Sequence, residues 1–284
     1  MPREDSLNRL SFLSDGAKLS YLQWGPDNGI PMVCVHGLTG NALDFKFVGE
    51  YFAKLGYKIL AIDMPGRGQS DHLKPEDYNF ERYISDLHNF LAHEKIETCI
   101  WLGVSMGGLL GIRMAAEHPI ISKLILIDVG PEVPQAQLDF ISTYLTFAPV
   151  FDTIDGVVGA MKQSIGTPFY RGPMTEEQWK FFAESSMQKL PDGRYTRSFD
   201  PGIAENFKTQ PLGKSDLWDY WEKITQPVLA IRGALSLLFP VSIADEMEKR
   251  KSGKAMDFAT IPDAGHVPSL YPDNQIDIIG DWLR

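Results

Sequence analysis

Leu102-Gly103-Val104-Ser105-Met106-Gly107-Gly108 is the stretch whose reading decides the fold. The apolar run Cys99-Ile100-Trp101-Leu102 leads into it, and residues 109–116 follow with small and apolar side chains at helical spacing. A strand, a Gly-x-Ser-x-Gly turn and a helix, in that order, form the context in which a serine is presented as a nucleophile. The turn is sharp enough that a side chain at the flanking glycine positions would meet neighbouring backbone. Ser105 would sit at its tip with the first turn of a helix behind it. Free N–H groups and a partial positive charge at a helix start suit an oxyanion. A bare Gly-x-Ser-x-Gly also occurs in ordinary glycine-rich turns, so the flanking patterns carry this reading.

Outward from that stretch the chain alternates. Residues 9–24 read as a hairpin around Ser14-Asp15-Gly16. Residues 31–36 form a short apolar strand ending in His36-Gly37-Leu38-Thr39-Gly40. Residues 43–55 carry Phe45, Val48, Phe52 and Leu55 at helical spacing, and residues 57–62 form the next strand, closed by Asp63-Met64-Pro65-Gly66-Arg67-Gly68-Gln69-Ser70. Phe80, Tyr83, Ile84, Leu87, Phe90 and Leu91 make one helical face, and residues 123–129 read as another buried strand. Strands alternating with helices at this spacing predict a mostly parallel, twisted sheet with helices on both faces. The alternation breaks over residues 131–222, where helical stretches and turns occur without a clear strand. That third of the chain holds 15 of its 32 aromatics, which predicts a helical cap inserted above the sheet and lining a cavity. A small helical subdomain whose aromatics serve its own core is the plainer alternative. Alternation resumes at residues 227–232 and 255–261, and a helix over 275–283 closes the chain. The domain expectation is a core of residues 1–130 and 223–284 with a 131–222 insertion.

Bulk properties bound the function. A net charge of −10 with no Lys/Arg cluster argues against a nucleic-acid partner. No apolar run approaches the ~20 residues a membrane span needs. The first residues lead into no apolar stretch, so no signal peptide is expected, and Cys34 and Cys99 read as reduced core thiols of a cytoplasmic protein. No Cys/His cluster has metal-ligand spacing.

A serine hydroxyl needs a base. Of six histidines, His36 reads as loop-shaping, and His72, His88, His93 and His118 as solvated. His266 follows the last strand in Pro262-Asp263-Ala264-Gly265-His266-Val267-Pro268, a position that delivers a side chain to the sheet edge where Ser105 stands. His266 is the expected base. The oxyanion donors expected are the N–H of Met106 and the N–H of Leu38, where Gly37 lets the backbone turn closely. Asp63, Arg67 and Ser70 are expected to bond within their own loop or cap a turn rather than touch substrate.

These motifs together resemble the α/β-hydrolase fold family, in its group of esterases, lipases and carbon–carbon-bond hydrolases. They run in the family's order, and the resemblance covers residues 9–283. It implies a cofactor-free serine hydrolase with Ser105 as nucleophile, His266 as base, and Leu38 and Met106 at the oxyanion hole. It also implies a small-molecule ester or related acyl substrate, and the aromatic cap favours an uncharged, partly apolar acyl group. One member departs from the pattern. Similar sequences carry Arg-Gly-x-x-Ser-Asp after the strand at 227–232, whereas this chain has Arg232-Gly233-Ala234-Leu235-Ser236-Leu237. Leu237 can neither hold an imidazole tautomer nor stabilise imidazolium. Three explanations stand. The acid was replaced, leaving an impaired enzyme or a trap for bound ligand. Alternatively the acid is relocated to Asp128, after the preceding strand, as in some relatives. Or the chain is a binding or signalling protein on a hydrolase scaffold. Glu132 and Asp263 are weaker acid candidates.

Overall fold

The computed structural model describes residues 8–209, 216–253 and 256–284. Strands β1 (Asn8–Ser14) and β2 (Ala17–Trp24) make the expected hairpin. There follow β3 (Ile30–Val35), α1 (Lys46–Ala53), β4 (Tyr57–Ile62), α2 (Phe80–His93), β5 (Cys99–Val104), α3 (Met106–Glu117) and β6 (Ile121–Ile127). An excursion then contains α4 (Gln135–Thr146), α5 (Ile154–Lys162), α6 (Glu176–Ser186), β7 (Met187–Lys189), β8 (Tyr195–Arg197) and α7 (Gly202–Thr209). The chain returns through α8 (Trp218–Trp221), β9 (Val228–Gly233), α9 (Val241–Arg250), β10 (Met256–Ile261) and α10 (Asp273–Leu283).

Eight strands lie in the order β1-β2-β4-β3-β5-β6-β9-β10. Only β2 pairs antiparallel with its neighbours; from β4 to β10 every pairing is parallel. Parallel strands need both faces covered, and the side chains divide accordingly. Val33, Trp101 and Leu126 face α2, α3 and α9, where Tyr83, Leu110 and Met247 are buried. Met32, Leu102 and Ile125 face α1 and α10, where Phe52 and Ile279 are buried. In β5 all six residues are buried, as a central strand requires. Cys34 and Cys99 are buried free thiols on β3 and β5.

The details depart from periodicity in places. The first predicted helix is regular only over α1, and Leu55 lies beyond its end, exposed. The 131–222 stretch does contain strands: β7 and β8 pair antiparallel in a small separate sheet. Three-residue strands are too short to show a period of two, so the pattern was invisible there. Residue 255 of the predicted 255–261 strand lies outside the described residues. α8 already rejoins the sheet layer, because Trp221 is fully buried and its Nε1–H donates to Met247 O (2.9 Å).

Candidate active site

Ser105 joins β5 to α3 with φ +48° and ψ −111°. A non-glycine residue in that region is strained and persists only when its surroundings hold it there. Two glycines make the bend possible by close approach. A Cβ on Gly103 would stand 2.3 Å from Gly107 O, and one on Gly107 would stand 2.0 Å from Val35 O. The Ser105 N–H donates to Ile127 O (3.0 Å), and its carbonyl accepts from Gly108 N (2.8 Å). Met106 is thereby the first residue of α3, where amides lack intrahelical acceptors.

The loop after β3 is held from behind. His36 is fully buried, and its Nε2 lies 3.0 Å from Met64 N, which can only donate. The Nδ1 therefore carries the ring proton and donates to Gly37 O (2.6 Å). Burial pushes the His36 pKa down to about 3, so the ring stays neutral. Gly40 N also donates to Gly37 O (3.1 Å), and Arg67 Nε donates to Leu38 O (2.9 Å). A trans peptide points its N–H opposite to its carbonyl, so these contacts also orient the Leu38 N–H, away from His36. The loop passes beside the nucleophile: a Cβ on Gly37 would lie 3.6 Å from Ser105 Cβ. That is ordinary contact, so the backbone does not demand the glycine expected there for a tight turn. Asp63 acts as a brace, accepting from Ala42 N, Gln69 N and Arg9. Ser70 Oγ accepts from Ser20 N and donates to Asp63 O. It links β2 to this loop rather than capping a turn. Of the other histidines, His88 differs from the solvated reading: its Nε2 is buried, and the ring packs edge-on against His118.

The base candidate has a carboxylate. His266 Nδ1 lies 2.7 Å from Asp128 Oδ2. Asp128 stands one residue beyond β6 with φ +54°, fully buried. Three further donors reach it: Gly233 N (2.9 Å), Ser236 Oγ (2.6 Å) and Val267 N (3.3 Å). Acceptor-only bonding of this kind fits an ionised carboxylate. With Nδ1–H committed to Asp128, Nε2 is the nitrogen left to take a proton. Leu237 is 53% exposed on the wall of the same cavity and contributes no polar atom. Glu132 is engaged elsewhere, accepting from Trp218 Nε1 (3.0 Å). The His266 loop is tied to the excursion through His266 N to Pro168 O (2.6 Å) and Ser269 N to Arg171 O (2.9 Å).

Ser105, Leu38 and His266 line one cavity of about 470 Å³, within the range of small-molecule sites. No hydrogen bond joins Ser105 Oγ to the ring here. Such contacts tighten as substrate is engaged, so transfer needs a closer approach. Much of the remaining wall comes from the excursion, including Phe140, Tyr144, Phe169, Trp179, Phe182 and Phe199. Asp44, Arg171 and Arg197 also line it. Sequence reading missed the arginines, which sit in no motif, and missed Ser236 as a donor to Asp128; the Ser of the Arg-Gly-x-x-Ser pattern was its available signal. Among the described residues no cluster of three or more His, Cys, Asp or Glu could hold a metal, and no helix is long and apolar enough to cross a membrane.

Comparisons with known proteins agree with this geometry at the level of the fold. A family model described as alpha/beta hydrolase fold matches residues 30–273. The chain is 34% identical over 273 residues to a 3-hydroxybutyrate-oligomer hydrolase of Cupriavidus necator, covering 92% of this chain and 91% of that one. It is 26% identical to a pimeloyl-[acyl-carrier protein] methyl ester esterase of Vibrio vulnificus, covering 79% and 82%. Among solved structures, an alpha/beta hydrolase from Novosphingobium aromaticivorans superposes with a TM-score of 0.85 at 32% identity, covering 98% of each chain.

Proposed function

Because the chain belongs to the α/β-hydrolase fold family and is a hydrolase, we propose that it cleaves carboxylic esters through an acyl-enzyme on Ser105. His266 Nε2 takes the Ser105 proton as Oγ attacks the ester carbonyl carbon. The oxyanion that forms is received by the N–H groups of Leu38 and Met106. Collapse of the tetrahedral intermediate breaks the bond to the alcohol oxygen, and His266 returns the proton to that oxygen. Water then attacks the acyl-enzyme with His266 again as base, releasing the carboxylic acid and restoring Ser105. Asp128 holds the Nδ1–H tautomer and stabilises imidazolium; Leu237 takes no part. The observation that carries this reading is the 2.7 Å contact between His266 Nδ1 and buried Asp128. It favours a relocated acid over an impaired site or a binding protein without turnover.

The excursion from α4 to α7 serves as a helical cap over the cavity, and its aromatics receive a partly apolar acyl or alcohol part. One relative is named as a methyl ester esterase and another as a hydrolase of hydroxybutyrate oligomers. That supports a small to medium ester, such as a short hydroxy-acid oligoester, as substrate. The test is hydrolysis of short 4-nitrophenyl esters by the protein and by Ser105→Ala. Turnover should fall at least about 10³-fold in the variant, since only oxyanion and binding contributions remain. Turnover indifferent to Ser105→Ala would refute the mechanism. Ligand binding with no Ser105-dependent turnover would favour the binding-protein reading.

A further inference from the structure

The chain carries 37 acidic residues against 27 Lys and Arg, yet two arginines on the cavity wall have no carboxylate within ion-pair distance among the described residues. Arg197, on β8, lies with its guanidinium carbon 3.8 Å from the Tyr144 ring centre, and Phe147 and Phe199 are further rings around it. Its Nη1 donates to Tyr144 O (2.8 Å), and this is its one side-chain hydrogen bond among the described residues. Arg171 lies with its guanidinium carbon 4.4 Å from the Phe182 ring centre, and its Nε is buried without a partner. The acid facing Arg171 is Asp44. Burial raises the Asp44 pKa above the usual carboxylate range, and the charge of Arg171 opposes that rise, but the two make no ion pair.

A desolvated guanidinium without an anion is costly to keep. Arg9 pairs with Asp63 and Arg82 with Asp86. The buried arginines without a carboxylate among the described residues, Arg67 and Arg232, give their donors to other oxygens, Arg67 to Leu38 O, Pro65 O and Tyr83 OH and Arg232 to Phe239 O. Arg171 Nε, by contrast, has no acceptor among those residues. Stacking on an aromatic face leaves the guanidinium edge open, and that edge matches a planar carboxylate. Both cations stand in the cavity that also holds Ser105 and His266.

We propose that Arg171 and Arg197 receive a free carboxylate of the substrate, so that the ester cleaved is an anionic one with its charge at the end remote from the scissile bond. The inference rests on the ester-hydrolase reading and narrows it. The aromatic wall alone suggests an uncharged ligand; the two guanidinium groups change this to an apolar chain with a carboxylate terminus, as a short linear oligoester of a hydroxy acid has.

The experiment compares 4-nitrophenyl hydrogen adipate and suberate with their methyl-capped counterparts. The protein should favour the acid-ended esters by about tenfold or more in kcat/KM, chiefly through KM, as expected for charge-assisted contacts. Arg197→Met and Arg171→Met should each lower activity on the acid-ended esters several-fold more than on the capped ones. Arg197→Lys should keep part of the preference. Preference for capped esters, or arginine variants that slow both alike at an unchanged thermal midpoint, would overturn the assignment. Calorimetry of adipate with Ser105→Ala separates the two readings. Adipate binding that is lost with either arginine sustains the anion site even if no ester is turned over. Ser105-dependent turnover without acid preference or adipate binding removes the anion site alone.

Discussion

Strands β6 and β9 lie side by side, paired from Leu124 with Val228 to Ile127 with Ile231. β9 runs two residues further, to Gly233, and the two ends contribute differently. The end of β6 supplies Asp128, buried and 2.7 Å from His266. The end of β9 supplies Leu237, half-exposed and apolar, where the family resemblance leads one to expect the acid. β9 is not idle, however. Gly233 N and Ser236 Oγ both donate to Asp128, so the strand without the carboxylate holds the one its neighbour provides. The lesson is geometric: adjacent parallel strands deliver the loops that follow them to the same edge of the sheet, so a carboxylate after either strand is a candidate partner for one imidazole.

The sharpest way to break the comparison is Asp128→Asn. If β6 carries the acid, kcat for a short ester should fall about 10⁴-fold, as when a triad carboxylate loses its charge. A fall below tenfold would return the search to another group. Next in size is rescue: adding Leu237→Asp to Asp128→Asn should recover about 10- to 100-fold of the lost kcat, because Leu237 lines the same cavity as His266. Failure to recover any activity in a folded double variant would show that the β9 end cannot reach the imidazole. Ser236→Ala removes one donor and should lower kcat about three- to tenfold with a stability loss of ~1–2 kcal/mol, read by denaturant melts. Leu237→Asp alone is the smallest: rates should stay within about threefold of the parent, since Nδ1 already has its carboxylate. A gain of tenfold or more would mean that Asp128 does not serve the ring and that the missing acid had limited the enzyme.

The sheet was legible because its signals are local. Four-to-seven-residue apolar runs alternate with helical faces, and the glycines at 103 and 107 mark the bend within one short motif, although only Gly103 is required by local backbone, Gly107 by Val35 O of the neighbouring strand. The short β7–β8 pair was not, because three residues show no period. The loop at His36-Gly37-Leu38 could be placed from its motif, but not the locking of its carbonyls, which depends on Met64 N–H and Arg67 arriving from the next loop.

By itself, then, the sequence determined the mostly parallel α/β layering, the strained bend at Ser105 and the candidacy of His266, all written in short-range spacing and steric necessity. Only the tertiary structure decided which carboxylate meets the imidazole and which charges face the cavity. Asp128 and His266 stand 138 positions apart, and Arg171 and Arg197 carry no motif. Their proximity arises from strand order and from the excursion folding back over the sheet edge. A one-residue pattern cannot encode that adjacency, because it depends on how separate elements pack.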